Sequence, residues 1–383
     1  MQHFYFDHNA TTPLAPEALE TMVACLGQVY GNASSIHYFG QAAKQRMEAA
    51  RRQVAALVGC RPAELIFTGG GTEADNLAVL GAVRAAGRPA HVVTTAIEHP
   101  AVLGACAQLE REGHAVTRVP VPASGIVDPD AIRRALRPET ALVSVMHANN
   151  ELGTVQPIAE IARIAHEAGV PVHSDGVQAL GKIPVDVEAL GVDLYSVSAH
   201  KVYAPKGVGA LYMRKGTNLT PLAFGGHHER DRRPGTENVP GIAGFGAAAE
   251  VAGARLAEDA GRIGGLRDRL ENAILDRIPG TGINGSPAGR TPNTSNVYFD
   301  GIDGEALTIA LDLRGFAVST GAACSSGAIA PSHVLTAIGL SADRARASMR
   351  FSLGRSNTDE QVNALAEALC EAVAHLRRIS VHA

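Results

Sequence analysis

The stretch "VSTGAACSSGAIAPSH", residues 318 to 333, sets one cysteine, Cys324, among Ser, Ala and Gly. It has neither the alternating nor the 3.6-residue apolar pattern that would bury a thiol in a core. Cys324 therefore reads as a nucleophile on a small-residue loop, and the question is what it attacks. Cys25, Cys60, Cys106 and Cys370 sit in helix-like or helix-end surroundings and read as structural. The five cysteines are scattered, odd in number and free of any C-x-x-C pair, which speaks against a disulfide framework and a zinc site.

Four further stretches place polar residues just after apolar, strand-like runs. "IFTGGGTEADN" is a strand, a glycine run and a helix start, and free backbone amides around Gly70, Gly71 and Thr72 would suit a phosphate. The bland alternative is a tight turn in which Thr72 caps the helix with Asp75 three residues on. The stretch lacks the spacing of either nucleotide-binding glycine motif. "VPVHSDGVQALGK" ends a strand on Asp175, with Gln178 soon after, and a buried carboxylate there needs a partner. "DLYSVSAHKVYAPKGVGALYM" puts Ser198, His200 and Lys201 at another strand end, where a lysine near a core prefers neutrality and a neutral amine attacks carbonyls. "TTAIEHPAV" sets His99 at a strand-to-helix junction, either as a helix-start hydrogen-bonder or as a flat ring able to stack. Phosphate cradle, carboxylate, lysine and imidazole together are what pyridoxal 5'-phosphate requires.

The elements that must position these residues are legible. From about residue 40 to 215, apolar strand-like runs alternate with amphipathic helical ones, as in "ELIFT" before "TEADNLAVLGAVRAAG" and "ALVSVMHA" before "PIAEIARIAHEAG". This predicts an α/β fold, a mostly parallel sheet of the seven-stranded type covered by helices, with ligands at the carboxyl ends of its strands. After a long helical connection, "TSNVYFDGI", "GEALTIALDLRG", "SMRFSLGR" and a terminal helix from about Thr358 predict a smaller α+β domain. The expected division is a large domain over 13–255 and a small one made of 1–12 and 256–383.

At 46% hydrophobic residues and 4% aromatic, the composition is that of a globular protein with a sizeable core. A net charge of −4 without a basic run argues against a nucleic-acid or membrane surface. No signal-peptide pattern opens the chain and no apolar segment reaches membrane-spanning length, so the expected location is cytoplasmic.

The chain resembles the cysteine desulfurases of the NifS/IscS type, fold-type I pyridoxal-phosphate enzymes of the class V aminotransferase family. The resemblance is carried by "YFDHNATTP", "GNASSIHYFGQ", "FTGGGTEADN", "IEHPAV", "MHANNELGTVQPI", "HSDGVQALGK", "SAHKVYAPKGVGALY", "RRPGTENV", "STGAACSSG" and "MRFSLGR", in that order. It implies that Lys201 holds the cofactor covalently, Asp175 faces its pyridine nitrogen, Gln178 its phenolic oxygen, and His99 stacks on its ring. It implies a phosphate site of Gly71, Thr72, Ser198 and His200, joined by Thr236 from the other subunit of a homodimer. Asn150 and Arg350 would orient L-cysteine, with Asn9 close by and Arg350 on the α-carboxylate. Cys324 would take the sulfur as a persulfide, leaving alanine, and pass it to a sulfur acceptor or iron–sulfur scaffold protein. A free thiol has a pKa near 8.5, so the reaction needs it activated.

Two departures from relatives stand out. In "GGHHERDRRPGT", His227, Asp231 and Pro234 replace smaller residues, and the adjacent His227 and His228 point apart, so no metal is expected. The chain stops at "RRISVHA", without the tail some relatives use to dock a scaffold. The rival functions are selenocysteine lyase or another lyase or aminotransferase on the same cofactor, and a non-enzymatic sulfur carrier. The Cys324 loop favours desulfuration, because transamination needs no protein thiol.

Overall fold

The apolar runs of the first two-thirds of the chain form a seven-stranded sheet. Its order is Leu65–Thr68, Gly209–Met213, Leu194–Ser198, Val172–Asp175, Thr140–Ser144, His91–Thr95, Ala115–Val119. The central strands are buried on both faces, so they read as continuous apolar runs instead of alternating ones. The computed structural model describes residues 2–320 and 331–380, so Cys324 lies outside the described residues.

Five strands are joined by parallel pairing. Gly209–Met213 runs antiparallel to both its neighbours, which turns Leu65–Thr68 the same way as the five. The expected mostly parallel sheet is therefore present with one reversed strand. Nothing in "GVGALYM" could signal that reversal, because an apolar strand reads alike in both directions.

Helices cover the sheet with the faces their spacing dictates. In Ile158–Glu167 the buried side chains are Ile158, Ile161, Ala162, Ile164 and Ala165, one stripe of a 3.6-residue period. The long connection is a single helix, Val239–Arg277, whose Ala- and Gly-rich first half packs closely on helices Pro16–Gln28 and Tyr38–Val58. Gly246 shows how closely, since a Cβ there would lie 2.6 Å from Ala50.

A second core lies around a four-stranded sheet ordered Ser319–Thr320, Ser348–Ser352, Thr294–Phe299, Thr281–Ile283. Val297, Phe299, Met349 and Phe351 fill it, together with Leu365 and Leu369 of the last helix, Asp359–Ser380. Phe6 of the N-terminal segment belongs to this core. Phe4–Tyr5 pairs with Phe316–Ala317, and Asp7 bridges to Ser352. The chain's first residues are thereby delivered to the seam between the two cores, where Asn9 enters the site.

Cys25 and Cys106 are buried in helices, and Cys60 and Cys370 are half-buried. Burial pushes the Cys60 and Cys106 thiols up to about 12, which holds them as thiols. Among the described residues no helix is long and apolar enough to cross a membrane.

Candidate active site

The carboxyl ends of the strands open on a cavity of about 350 Å³, and most of the expected site residues line it. Each arrives from a different element. Gly71 and Thr72 begin the helix Gly71–Ala85, directly after the strand Leu65–Thr68. A Cβ on Gly71 would lie 2.8 Å from Val177 and 3.3 Å from Ser198, so only glycine lets the helix start approach this wall. The first-turn amides have no acceptor within the helix. The residue at the cap is Gly70 and no side chain caps it, so the alternative of Thr72 as cap with Asp75 is not what forms. The turn is fastened instead by the Gly69 amide donating to Glu73 Oε2 at 2.7 Å.

Asp175 ends the strand Val172–Asp175 and accepts from the Val177 amide at 2.9 Å. Burial raises its pKa above the usual carboxylate range, opposed by the charges of His99 and Lys201. His99 takes the helix-start position that its sequence allowed. As the cap of helix Pro100–Arg111 its Nδ1 accepts from the Ala101 amide at 3.1 Å, and its ring also lines the cavity. Its pKa is lowered, first by burial.

Ser198 closes the strand Leu194–Ser198, and His200 and Lys201 follow in a single 3₁₀ turn, Ala199–Lys201. The N-terminal segment clamps this turn. Thr12 donates through its amide and its hydroxyl to the His200 carbonyl at 2.9 and 3.0 Å, and His200 Nδ1 lies 3.1 Å from Thr11 Oγ1. Lys201 Nζ donates to the carbonyls of Asn9 and Ala10 at 2.5 and 2.6 Å. Burial, then the Arg350 charge, lowers the Lys201 pKa to about 8, opposed by Asp7 and Asp175. His200 is pushed down to about 4, mainly by burial, and so is neutral.

Arg350, on the strand Ser348–Ser352, donates from Nη2 to Asp7 Oδ1 at 2.7 Å and from Nη1 to the Asn150 carbonyl at 3.1 Å. Its Nε is buried without a partner. Asn9 Nδ2 donates to the Asn150 carbonyl and to Thr294 Oγ1, at 3.0 and 2.8 Å. Gln178 Nε2 donates to the Asn9 carbonyl at 2.9 Å. Asn9, Asn150, Gln178 and Arg350 are thus one connected wall.

Thr236 is exposed and does not line this cavity. Its loop is nevertheless tied to the glycine turn, through Arg233 Nε at 2.8 Å from Glu73 Oε1. Just upstream, Glu229, Arg230 and Asp231 have φ of 44°, 56° and 64°, left-handed in three successive non-glycine residues. Strain of this kind, on the order of 1–3 kcal/mol per residue, persists only when the surroundings dictate it. They do: the buried Glu229 carboxylate accepts from Arg51 at 2.6 and 2.8 Å and from the Phe67 amide at 2.9 Å. His227 Nδ1 lies 2.5 Å from Asp231 Oδ1.

Several groups here were not singled out from the sequence. Asp75 is buried to 1% exposure in the cavity wall, its Oδ1 unpartnered by any hydrogen bond and 3.6 Å from His173 Nε2. Atoms of Asp75, His99 and Asp175 lie within 4.8 Å of one another. Burial, then Asp175, raises the Asp75 pKa well above its usual range, and burial pushes Glu98 up to about 8. Glu151 accepts from Ser332 at 2.6 Å, and burial carries its pKa to about 7. Lys182 reaches Gln178 and Asn9. These three acids, one near a helix start and two in loops, carry no local signal that they point inward.

The donor set fits pyridoxal phosphate. A glycine-lined helix start with Thr72, Ser198 and His200 suits the phosphate. The buried carboxylate of Asp175 suits a protonated ring nitrogen, and Lys201 supplies an amine close to neutrality.

The model of the family described as aminotransferase class-V matches residues 4–365. The chain is 46% identical over 382 residues to a cysteine desulfurase of Gluconacetobacter diazotrophicus, covering 99% of this chain and 96% of that one. It is 46% identical to the cysteine desulfurase IscS of Dictyoglomus turgidum, covering 98% and 96%. A solved structure called NifS-like protein superposes with a TM-score of 0.92 at 38% identity, over 98% of this chain and 100% of that one. Another, SspA in complex with cysteine, superposes with a TM-score of 0.81 at 36% identity, over 92% and 99%. Matched over residues 4–365 by the family model and over nearly its whole length by relatives this similar, the chain belongs to the class-V aminotransferase family, on its cysteine desulfurase branch.

Proposed function

We propose that this chain is a pyridoxal-phosphate-dependent cysteine desulfurase, in which L-cysteine and the Cys324 thiol become L-alanine and a persulfide on Cys324. The observation that carries the reading is the convergence of Lys201, Asp175 and Arg350 on one cavity, in a chain 46% identical to cysteine desulfurases. When bound, pyridoxal phosphate supplies an electron sink for the pair released at the substrate's α-carbon. Arg350 receives the substrate carboxylate, its orientation held by Asp7 and the Asn150 carbonyl. Lys201 Nζ would hold the cofactor and move the substrate's α-proton, for which an amine titrating near 8 is suited. Asp175 would hold the proton on the ring nitrogen, and His99 and Gln178 would hold the ring. Gly71, Thr72, Ser198 and His200 hold the phosphate. The Cys324 sulfur attacks the substrate sulfur, the carbon–sulfur bond breaks, and its electron pair stays with the fragment that is protonated to alanine.

The reading extends to a cytoplasmic homodimer in which Thr236 joins the partner's phosphate site. The exposure of Leu26, Tyr30, Ile36 and Tyr38 near one another in sequence supports a covered face. The sulfur passes on to an acceptor such as an iron–sulfur scaffold protein.

Purified protein given L-cysteine and a reductant should release alanine and sulfide in equal amounts. Alanine without sulfide would overturn the desulfurase reading. A second expectation follows from the amine. Below about pH 8 Lys201 is ammonium and cannot attack an aldehyde, and above it the amine is free. Uptake of pyridoxal phosphate by the apoprotein, followed by absorbance, should therefore speed up as pH rises through about 8 and then level off. A rate that keeps climbing toward an ordinary lysine pKa, about 10.4, would mean that the amine is not depressed.

A further inference from the structure

Lys182 is a buried amine without a counter-charge: among the described residues no carboxylate lies within ion-pair distance of it. Its amine donates instead to two amide oxygens, Gln178 Oε1 and, at 3.3 Å, Asn9 Oδ1. The turn that follows Asp175 makes this possible. The Leu180 amide bonds the Gly176 carbonyl and the Ile183 amide the Ala179 carbonyl, so residues 178 and 182 stand four apart on one face of a helical turn. Gly176 permits the turn, since a Cβ there would strike the Tyr195 ring at 1.9 Å.

A carboxamide can present either end, and its surroundings decide which. Here the Lys182 amine donates to the Gln178 oxygen, so the oxygen end is engaged at Lys182 and the NH₂ end is the one left free to donate elsewhere. The Gln178 NH₂ has two N–H bonds. One goes to the Asn9 carbonyl at 2.9 Å, and the other is left for the cavity that Gln178 lines. Asn9 is held at the same time, because its Oδ1 takes Lys182 and the Asn293 amide at 2.9 Å, and its carbonyl takes Lys201.

We propose that Lys182 is a positioning residue that fixes Gln178 with its N–H toward the cavity, so that this wall offers a donor to an anionic oxygen of the bound cofactor. The assignment rests on the cofactor reading above. Burial, followed by the charges of Lys201 and Arg350, depresses the Lys182 pKa, in keeping with an amine kept for its hydrogen bonds.

The test is a double-mutant cycle on the holoenzyme, read as the pH titration of its visible absorbance. The wild-type titration comes first, and a wild type with no cofactor band would overturn the functional reading itself. In Lys182→Met, Gln178 is free to turn its oxygen inward, and an anionic oxygen on the cofactor loses its donor. The titration midpoint should rise by about one unit, and kcat should fall about tenfold with KM for cysteine little changed. Lys182→Arg, which keeps the donors, should recover most of the midpoint. In a Gln178→Leu background Lys182→Met should shift nothing further. The same shift in both backgrounds, or none in Lys182→Met alone, would overturn the proposal. If Lys182→Met yields no soluble protein, Lys182→Leu, which also lacks a donor, takes its place in the cycle with the same outcomes.

Discussion

Lys201→Ala should purify without the visible absorbance of the holoenzyme and turn over cysteine roughly 10⁴-fold or more slowly. The size follows from the two tasks that meet on one atom. Among the described residues Nζ is the only lysine amine that lines the cavity with Asp175 and Arg350, and at about 8 it titrates close enough to neutrality to give and take a proton. An ordinary lysine at neutral pH is almost wholly ammonium. Lowering its pKa from 10.5 to about 8 raises the neutral fraction at neutral pH by roughly a few hundredfold. The cause is local, because burial dominates and Arg350 adds to it. The loss should not be one of folding. Removing the amine leaves the Asn9 and Ala10 carbonyls short of one donor, while Thr12 still clamps the turn at the His200 carbonyl. Melting temperature should therefore change little, and a small added amine should restore part of the activity. An unchanged spectrum in Lys201→Ala would mean that another group binds the cofactor.

The architecture that presents Lys201 is readable in one dimension because parallel, doubly covered strands leave a plain mark, an apolar run that stops abruptly at a polar residue. Asp175 and Ser198 end such runs, and both are in the cavity wall. His99 carries a different signal, that of a helix start, and the structure gives it that task along with its place at the site. What the sequence could not disclose is coupling across distance. Asn9 bonds Asn150, Thr294, Gln178 and both lysines, none of them within 140 residues of it. No local pattern announces such a hub. Asp75 failed to stand out for a related reason. Three residues after a threonine at a helix start it reads as the partner in a capping box, and only tertiary packing turns it inward against His173. Lys182 lay within a recognised motif, yet a lysine after a glycine reads as solvent-facing until its two oxygen partners are seen.

Cys324→Ser should separate the two halves of the reaction more sharply than any change in the cavity. The groups proposed to hold the cofactor and the substrate lie elsewhere in the chain, so the variant should keep its absorbance and still change it on addition of cysteine. Sulfide release should fall to background, and no persulfide should be found on the protein. Serine is nearly isosteric, but its hydroxyl is far less acidic than a thiol and cannot store sulfur as a persulfide. Nor can another cysteine substitute. Cys60 and Cys106 are held protonated by burial, with pKa values near 12, burial also raises that of Cys25, and Cys370 sits in the last helix beside the second core. The serine variant also tests the rival reading of a lyase on the same cofactor. A lyase that expels sulfur directly into water needs no protein thiol and would release sulfide from Cys324→Ser at the wild-type rate. The decisive measurement is a single turnover with labelled cysteine, followed by mass analysis of the intact chain. Wild type should gain one sulfur atom, lost again on reduction, and the variant none. A wild-type rate of sulfide release from the variant would show that the carbon–sulfur bond is broken without Cys324.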